Sequence, residues 1–346
     1  MIYILTFFLL FVLSLTDKRY NRIVFWCLVL YLLLLGGFRA DTVGVDTAYG
    51  YKDYWNYHSS GWRIGYVEIG YVFLMDFVKW CGGGYNMLLF LCEALCVLPL
   101  AIVINRQKNI NYVLALAVYY GMYLYLQSFN MIRQCIAMSF CLLSYDLFKS
   151  HKIWSIVCMC IAYLFHKSAL IFLLAFVFYF INFGIFTTVV LLGVTFVLGI
   201  MLFVSQNTIQ HLLSGTKYYG YVAGGGAFGF RPFAVSIVIM AVAMNVFFMF
   251  YLVVGSKTML KSHWTKVMIA GLCVLNLTQS LILGTRLVLY FTQAQILFYP
   301  QYLKYQSKRS KIFLALLLSL YLACNFAKIF IPSWSDINPY RLFFWS

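Results

Sequence analysis

Long apolar runs recur from one end of this sequence to the other, and many approach the roughly 20 residues that a helix needs to cross a bilayer. Hydrophobic residues make up 64% of its 346 residues, and charged residues only 10%. A soluble domain of this length has too little interior to bury so much apolar surface. The sequence therefore predicts an all-α polytopic integral membrane protein, with residues 1–346 forming a single transmembrane domain.

The apolar runs predict about 12 transmembrane helices. We place them at residues 1–16, 23–38, 85–104, 112–127, 129–148, 153–166, 168–182, 185–204, 233–254, 267–284, 287–303 and 312–331. A further apolar segment, 66–80, contains Glu68, Asp76 and Lys79. We interpret it as a short re-entrant or surface helix because this choice gives a consistent distribution of basic loops.

Short loops rich in lysine and arginine mark the cytoplasmic side of a membrane protein. If segment 66–80 does not cross, more than half of the 25 basic residues fall in loops on one side. Those loops are 17–22, 105–111, 149–152, 255–266 and 304–311. Both termini then lie outside, and the loops 39–84 and 205–231 form the external face.

The net charge of +16 does not indicate nucleic-acid binding, because the basic residues are scattered through short loops. The ten cysteines include no C-x-x-C motif and no Cys/His cluster. Neither a disulfide framework nor a metal site is indicated. We therefore expect no nucleic-acid partner and no cofactor.

The segment Phe129–Ala137 places a guanidinium within apolar sequence. An arginine there is costly in lipid and usually faces a protein cavity or a water-filled site. On a helix, Asn130, Arg133, Gln134 and Ala137 share one face, and the small Ala137 would admit a ligand. Arg133 offers a planar fork of donors suited to phosphate oxygens. The alternative is an interfacial arginine that extends to lipid headgroups.

Charged residues of the first outer loop and the next helix supply further candidates. We expect Arg39 to meet an anion, and Asp46 to orient Arg39 or bind a sugar hydroxyl; the alternative for Asp46 is helix capping. Burial would raise the pKa of Glu68 and suit it to act as a base, but it is equally a candidate ion partner of Arg39 or Arg133. Glu93 lies in mid-helix, and we expect it to make a structural hydrogen bond or ion pair between helices.

Two later positions complete the set of candidates. His166 separates two apolar segments, and a neutral imidazole accepts a proton from a hydroxyl near neutral pH. Its alternative is an interfacial polar break between two short helices. Arg286 has Tyr290 one turn below it on the same helical face. With Arg39 and Arg133, Arg286 would neutralise a pyrophosphate without the metal ion that otherwise does this work.

Seven short motifs are spread in order over nearly the whole chain. They are Gly37-Phe38-Arg39, Val43-Gly44-Val45-Asp46-Thr47, Glu68-Ile69-Gly70-Tyr71, Asn130-x-x-Arg133-Gln134-x-x-Ala137, Phe165-His166-Lys167-Ser168-Ala169-Leu170, Arg286-x-x-x-Tyr290-Phe291 and Pro339-Tyr340-Arg341. In order and spacing they resemble the EpsG family of bacterial exopolysaccharide and capsule proteins, which is related to the Wzy-type polysaccharide (O-antigen) polymerases.

This resemblance implies a membrane glycosyltransferase with a GT-C-like helical architecture in the bacterial cytoplasmic membrane. Such an enzyme joins undecaprenyl-pyrophosphate-linked oligosaccharide units on the outer face, and the donor pyrophosphate leaves. The expected partners are the lipid-linked donor and acceptor glycans, membrane lipid and a chain-length regulator protein. We expect Arg133 and either His166 or Glu68 to be catalytic. The expected substrate-binding residues are Arg39, Asp46, Asn130, Gln134, Arg286 and Tyr290.

Three other functions remain open from the sequence. A glycan ligase would use the same chemistry with a different acceptor. A flippase for lipid-linked oligosaccharides would need a polar path to both faces. The polar groups that suggest a function fall on the predicted outer side, and the predicted cytoplasmic loops show none. A membrane acyltransferase would need a cytoplasmic or mid-membrane histidine, which the predicted topology does not provide.

Overall fold

A computed structural model of the protein describes residues 1–15, 21–59, 67–108, 110–214, 219, 229, 235–254, 257–330 and 337–345. The α-helices in chain order are α1 (Ile2–Leu13), α2 (Asn21–Gly37), α3 (Lys52–Ser59), α4 (Ile69–Trp80), α5 (Tyr85–Arg106), α6 (Tyr112–Gly121), α7 (Leu124–Gln127), α8 (Ile132–Leu147), α9 (Lys152–Phe165), α10 (Leu173–Tyr179), α11 (Ile185–Val204), α12 (Gln206–Leu213), α13 (Val235–Val254), α14 (His263–Thr278), α15 (Gly284–Thr292), α16 (Gln295–Lys304) and α17 (Lys308–Phe326). A π-helix, Asp46–Tyr51, precedes α3.

The prediction of an all-helical protein is confirmed for the described residues, which contain no β-strand and one isolated bridge between Arg39 and Leu342. Four helical segments are long and apolar enough to cross a membrane: α5, α11, Ile237–Val254 of α13, and Lys308–Phe330, which includes α17. Several other apolar helices are shorter than a full crossing. The total of about 12 spans stays a prediction.

Several helix boundaries differ from the predicted ones. The predicted helix 112–127 ends at Gly121, and Tyr123 adopts a left-handed conformation with φ 64° before the single turn α7. The predicted helix 287–303 is two helices, α15 and α16. Segment 66–80 contains the 12-residue α4, and its placement as a re-entrant or surface helix stays a prediction. Most of the loop 205–231 beyond α12 lies outside the described residues.

The chain divides into two compact units, residues 1–170 with 295–346 and residues 171–294. In the first unit, α5 packs against α2, α4 and α8, and α8 packs against α9, which in turn contacts α4. A second group of helices surrounds α6, namely α1, α2, α16 and α17. The first unit thereby brings the ends of α4, α8 and α9 close together.

A buried ion pair joins α2 to α5 in the first unit. Arg39, just after α2, is 1% exposed, and its Nη1 lies 3.2 Å from Oε2 of Glu93. Ser128 donates a hydrogen bond to the same carboxylate (3.1 Å), and the Arg39 guanidinium lies 4.5 Å from the centre of the Phe129 ring. The prediction that Glu93 makes a structural ion pair between helices is confirmed.

The segment that follows α17 returns to the end of α2. The Ala40 N–H donates to the Arg341 carbonyl (2.8 Å), and the Phe343 N–H donates to the Phe38 carbonyl (3.1 Å). These two bonds fix the backbone on both sides of Arg39. The C-terminal segment therefore supports the buried ion pair.

The second unit is built around α14, which contacts α10, α11, α13 and α15. A Cβ at Gly199 of α11 would collide with the carbonyl oxygen of Asn276, so only glycine permits this close approach. The Asn276 side chain donates to the Leu192 carbonyl (3.1 Å) and accepts from Asn245 of α13 (2.7 Å). Such hydrogen bonds join helices in an apolar medium.

The substitution Arg39→Met is expected to destabilise the protein strongly, because it leaves the Glu93 carboxylate buried without its charged partner. Removing one member of a buried pair costs about 3–5 kcal/mol of unfolding free energy. Chemical denaturation of the purified protein in detergent measures the loss.

The double variant Arg39→Met/Glu93→Leu removes both charges and is expected to recover much of that stability. The matched control is Asp41→Asn, which breaks the more exposed Lys52–Asp41 pair of the same unit. That change should cost less than about 1 kcal/mol. An equally small cost for Arg39→Met would contradict the structural role of the buried pair.

Candidate functional site

Three side chains that are far apart in sequence meet in the first unit. Nδ1 of His166 lies 2.8 Å from Oε1 of Glu68, and Nη1 of Arg133 donates to the other oxygen, Oε2. The three side chains are 28%, 11% and 17% exposed, in the order His166, Glu68 and Arg133. We call this group the Glu68 cluster. The predicted pairing of Glu68 with Arg133 is confirmed.

Each member of the Glu68 cluster lies at a helix end. Glu68 is the residue before α4 and has an extended backbone, with φ −64° and ψ 143°. His166 directly follows α9, and Arg133 is the second residue of α8. Because α9 packs against both α4 and α8, the three ends converge.

The approach of α4 to α9 depends on Gly70. A Cβ at this position would lie 2.8 Å from the carbonyl oxygen of Leu164 and 3.2 Å from the backbone nitrogen of Phe165. Backbone atoms cannot rotate away as the end of a side chain can. Gly70 is two residues from Glu68, and Leu164 is two residues from His166. This contact therefore sets the separation of the carboxylate from the imidazole.

Two tyrosines flank the guanidinium of Arg133. Its Cζ lies 5.7 Å from the centre of the Tyr51 ring and 5.6 Å from that of Tyr54. Tyr51 is buried and Tyr54 is partly exposed. The electron-rich faces of the two rings attract the guanidinium cation and help to keep it in position.

The charge state of Glu68 follows from its two partners. Burial raises the pKa of the Glu68 carboxyl, but the hydrogen bond with His166 and the positive charge of Arg133 outweigh that effect. The pKa therefore lies below its ordinary value, and Glu68 is ionised at neutral pH. The expectation that burial raises the pKa of Glu68 is not met, and the structure instead shows the other predicted alternative, an ion pair with Arg133.

An ionised Glu68 fixes the proton arrangement of His166. A carboxylate only accepts hydrogen bonds, so Nδ1 of the imidazole must donate. Nε2 of the neutral ring is then an acceptor, able to take a proton from a hydroxyl group. The arrangement thus combines a proton acceptor, a carboxylate that orients it and a guanidinium.

The loop after α2 is docked on the turn that precedes α8. The side chain of Thr47 donates to the Phe129 carbonyl, and the Asp46 N–H donates to Oδ1 of Asn130 (3.2 Å). Gly44 has φ 99° and lies against the Phe129 carbonyl oxygen, where a Cβ would collide. This loop therefore holds the turn that leads into Arg133.

The structure corrects the predicted roles of Arg39 and Asp46. Arg39 is buried and has Glu93 as its acidic partner, so it does not meet an anion at a surface, and Asp46 does not orient it. Asp46 is exposed and is the first residue of the π-helix, whose N-cap position is Val45. The sequence placed Arg39 at a boundary but did not show which way its side chain turns.

The predicted polar face of Asn130, Arg133, Gln134 and Ala137 is also wrong in part. Helix α8 begins at Ile132, so Asn130 lies in the preceding turn. Gln134 and Ala137 are 4% and 0% exposed and belong to the interior of the first unit. Only Arg133 of these four belongs to the Glu68 cluster.

Arg286 and Tyr290 belong to the second unit. Arg286 is exposed in the first turn of α15, whereas Tyr290 is fully buried one turn later. The prediction that Tyr290 contacts substrate would require it to be accessible, and its burial instead gives it a packing role.

The sequence did not single out Tyr51 or Tyr54. Their three-residue spacing puts them one helical turn apart, but nothing in the sequence connects them to Arg133. As for metal ions, the described part of the chain gathers no group of three His, Cys, Asp or Glu side chains suited to hold one.

Replacing Gly70 by alanine is expected to push α4 away from α9 and to separate Glu68 from His166. Forcing a methyl group into a packed backbone contact typically costs about 1–3 kcal/mol. The unfolding free energy of Gly70→Ala in detergent measures this cost.

Gly84→Ala is the matched control, because a Cβ at Gly84 meets nothing within 4 Å. It should change stability by no more than about 0.5 kcal/mol. If Gly70→Ala is as stable as Gly84→Ala, the contact between α4 and α9 does not set the geometry of the cluster.

Comparison with known proteins gives one match. No curated protein and no solved structure is found to match the chain. The model of the EpsG family matches residues 22–342. This range begins near the start of α2, ends at Leu342 and includes every member of the Glu68 cluster. Since the match covers nearly the whole sequence, the chain belongs to the EpsG family, which indicates a membrane protein of polysaccharide biosynthesis.

Proposed function

We propose that the protein is a polysaccharide polymerase that joins undecaprenyl-pyrophosphate-linked oligosaccharide units on the outer face of the bacterial cytoplasmic membrane. The observation that carries this proposal is the convergence of His166, Glu68 and Arg133. Glycosyl transfer from a pyrophosphate needs a base for the acceptor hydroxyl and positive charge for the leaving group. The Glu68 cluster contains both.

In this mechanism His166 is the base and Glu68 orients it. Nε2 of His166 takes the proton from an acceptor sugar hydroxyl, and the hydroxyl oxygen attacks the anomeric carbon of the donor chain. The bond from that carbon to the pyrophosphate oxygen breaks, and undecaprenyl pyrophosphate leaves with the electron pair. The ionised Glu68 stabilises the imidazolium that forms, as a carboxylate does in other His–carboxylate pairs.

Arg133 supplies positive charge to the leaving group. One of its amino groups is engaged by Glu68, and its side chain remains 17% exposed. A guanidinium has further donors in the same plane, which suit the oxygens of a pyrophosphate. Arg286, exposed on the second unit, stays a predicted phosphate ligand. Arg39 is excluded from this role because its charge is used in the buried pair.

Asp46 completes the proposed substrate contacts. Its carboxylate is exposed, and its backbone is held by the bond to Asn130. A fixed, exposed carboxylate is suited to accept hydrogen bonds from sugar hydroxyls. Asn130 is then a residue that positions Asp46 and the start of α8.

The proposed membrane setting follows the distribution of basic loops. About 12 spans with both termini outside put Glu68, His166 and the loop 39–84 on the outer side. The proposed partners there are the lipid-linked donor and acceptor glycans, surrounding lipid and a chain-length regulator protein. In this proposal the positive charge of arginine neutralises the pyrophosphate, so that no metal ion is required.

His166→Ala is expected to abolish chain growth in the host, because removal of a general base typically costs about 10²–10⁴-fold in rate. Single lipid-linked units should accumulate while long polymer disappears. Arg133→Lys is expected to give a similar defect, since a point charge does not replace the planar fork. Glycan analysis of the host, with protein levels compared, measures both effects.

The matched control is His151→Ala, which removes an exposed histidine at the opposite end of α9. It should leave polymer length normal. Normal polymer in both His166→Ala and Arg133→Lys would refute the proposed site. Full-length polymer that stays on its lipid carrier would instead identify the protein as a ligase.

A further inference from the structure

The segment that carries Tyr54 also presents a row of exposed aromatic and polar side chains. Tyr49 is 73% exposed and Tyr57 is 57% exposed. Asp53 and Asn56 are exposed as well, and their spacing places them on the same side of α3 as Tyr57. We call these three residues, together with Tyr49 of the π-helix just before α3, the α3 face. Exposed aromatic groups clustered in this way are typical of binding surfaces.

The α3 face is connected to the Glu68 cluster through Tyr54. The Tyr54 ring is 5.6 Å from Cζ of Arg133 and 5.8 Å from the Tyr51 ring. Tyr54 lies three residues before Tyr57, which is one turn of α3. A molecule lying along α3 would therefore reach the Glu68 cluster within one helical turn.

Two contacts hold α3 in place on the first unit. Nε2 of His58 is 2.6 Å from the Asp76 carboxylate, and Nζ of Lys79 lies 4.8 Å from the centre of the Trp55 ring. A surface that is already fixed binds more tightly, because less conformational freedom is lost on binding. The charged residues of α3 also exclude a face buried in lipid, since charges there are costly.

The chemistry of the α3 face fits a carbohydrate. The C–H side of a sugar ring is apolar and packs flat against an aromatic ring, and tyrosine adds a hydroxyl at the edge. The carboxylate of Asp53 accepts hydrogen bonds from sugar hydroxyls, while the amide of Asn56 both donates and accepts. Neither side chain carries a positive charge, so the face is not built for a phosphate.

We propose that the α3 face, together with Tyr54, is a glycan subsite that holds the acceptor sugars next to the Glu68 cluster. This inference rests on the proposed function, because it assigns the sugars nearest His166 to the acceptor whose hydroxyl is deprotonated. The subsite positions the acceptor and takes no part in proton transfer. Its loss should therefore weaken substrate binding and leave the chemical step unchanged.

The test uses the full-length protein in proteoliposomes with lipid-linked repeat units from the same host. Tyr57→Ala should raise KM for the repeat unit about tenfold, as expected for the loss of one aromatic contact, with kcat unchanged. Tyr57→Phe keeps the ring contact, so the KM of this variant should stay within about threefold of the wild-type KM. The matched control is Tyr305→Ala, which removes a tyrosine that is 45% exposed after α16 and should leave KM unchanged.

A second measurement separates this inference from the proposed function. Binding of the repeat-unit oligosaccharide, released from its lipid, is measured by saturation-transfer NMR with wild type and Tyr57→Ala. Lost binding in Tyr57→Ala supports the subsite even if the wild type makes no polymer, in which case only the polymerase proposal is refuted. Equal binding by both proteins, or an unchanged KM in Tyr57→Ala, overturns the subsite while the polymerase proposal stands.

Discussion

The buried pair of Arg39 and Glu93 is the interaction on which the rest of the first unit depends. It joins the end of α2 to the middle of α5, and Ser128 and Phe129 complete its surroundings. These two residues form the turn that leads into α8, so the same pair that fixes two helices also places the start of α8, where Arg133 lies. A buried charge pair tolerates little displacement, because each charge is costly without the other. Structure and candidate chemistry are thus connected through one turn of the chain.

The division of work between two arginines illustrates what the sequence predicts and what it does not. Residue type and the surrounding apolar sequence identified Arg39, Arg133, Glu68 and His166 as groups that need a partner or a cavity. The pairing of Glu68 with Arg133, 65 residues away, was among the predicted alternatives, and the structure selects it. Arg39 was assigned to the surface because a sequence does not show the direction of a side chain. The sequence correctly indicated a structural role for Glu93, but only the packed helices show that its partner is Arg39.

The fold was predictable to a similar degree. Apolar runs predicted helices in nearly the correct places, because a membrane protein must satisfy its backbone within each segment. Breaks such as the left-handed Tyr123 were missed, since tertiary packing rather than local preference holds a tyrosine in that conformation. The close approach at Gly70 was likewise not predicted, although the residue lies in a recognised motif. A glycine in a sequence does not reveal whether it permits a turn or a contact, and here it permits a contact between α4 and the backbone of α9.

Within the Glu68 cluster, His166 is the proposed base, Glu68 orients it, and Arg133 supplies positive charge to the leaving group.

The most direct test of this account is the product balance of the purified protein, reconstituted with lipid-linked repeat units alone in the presence of EDTA. We predict that one undecaprenyl pyrophosphate is released for each repeat unit joined, and that the chains lengthen with time. Formation of polymer without release of the pyrophosphate carrier, or no polymer from a correctly folded protein, would contradict the account.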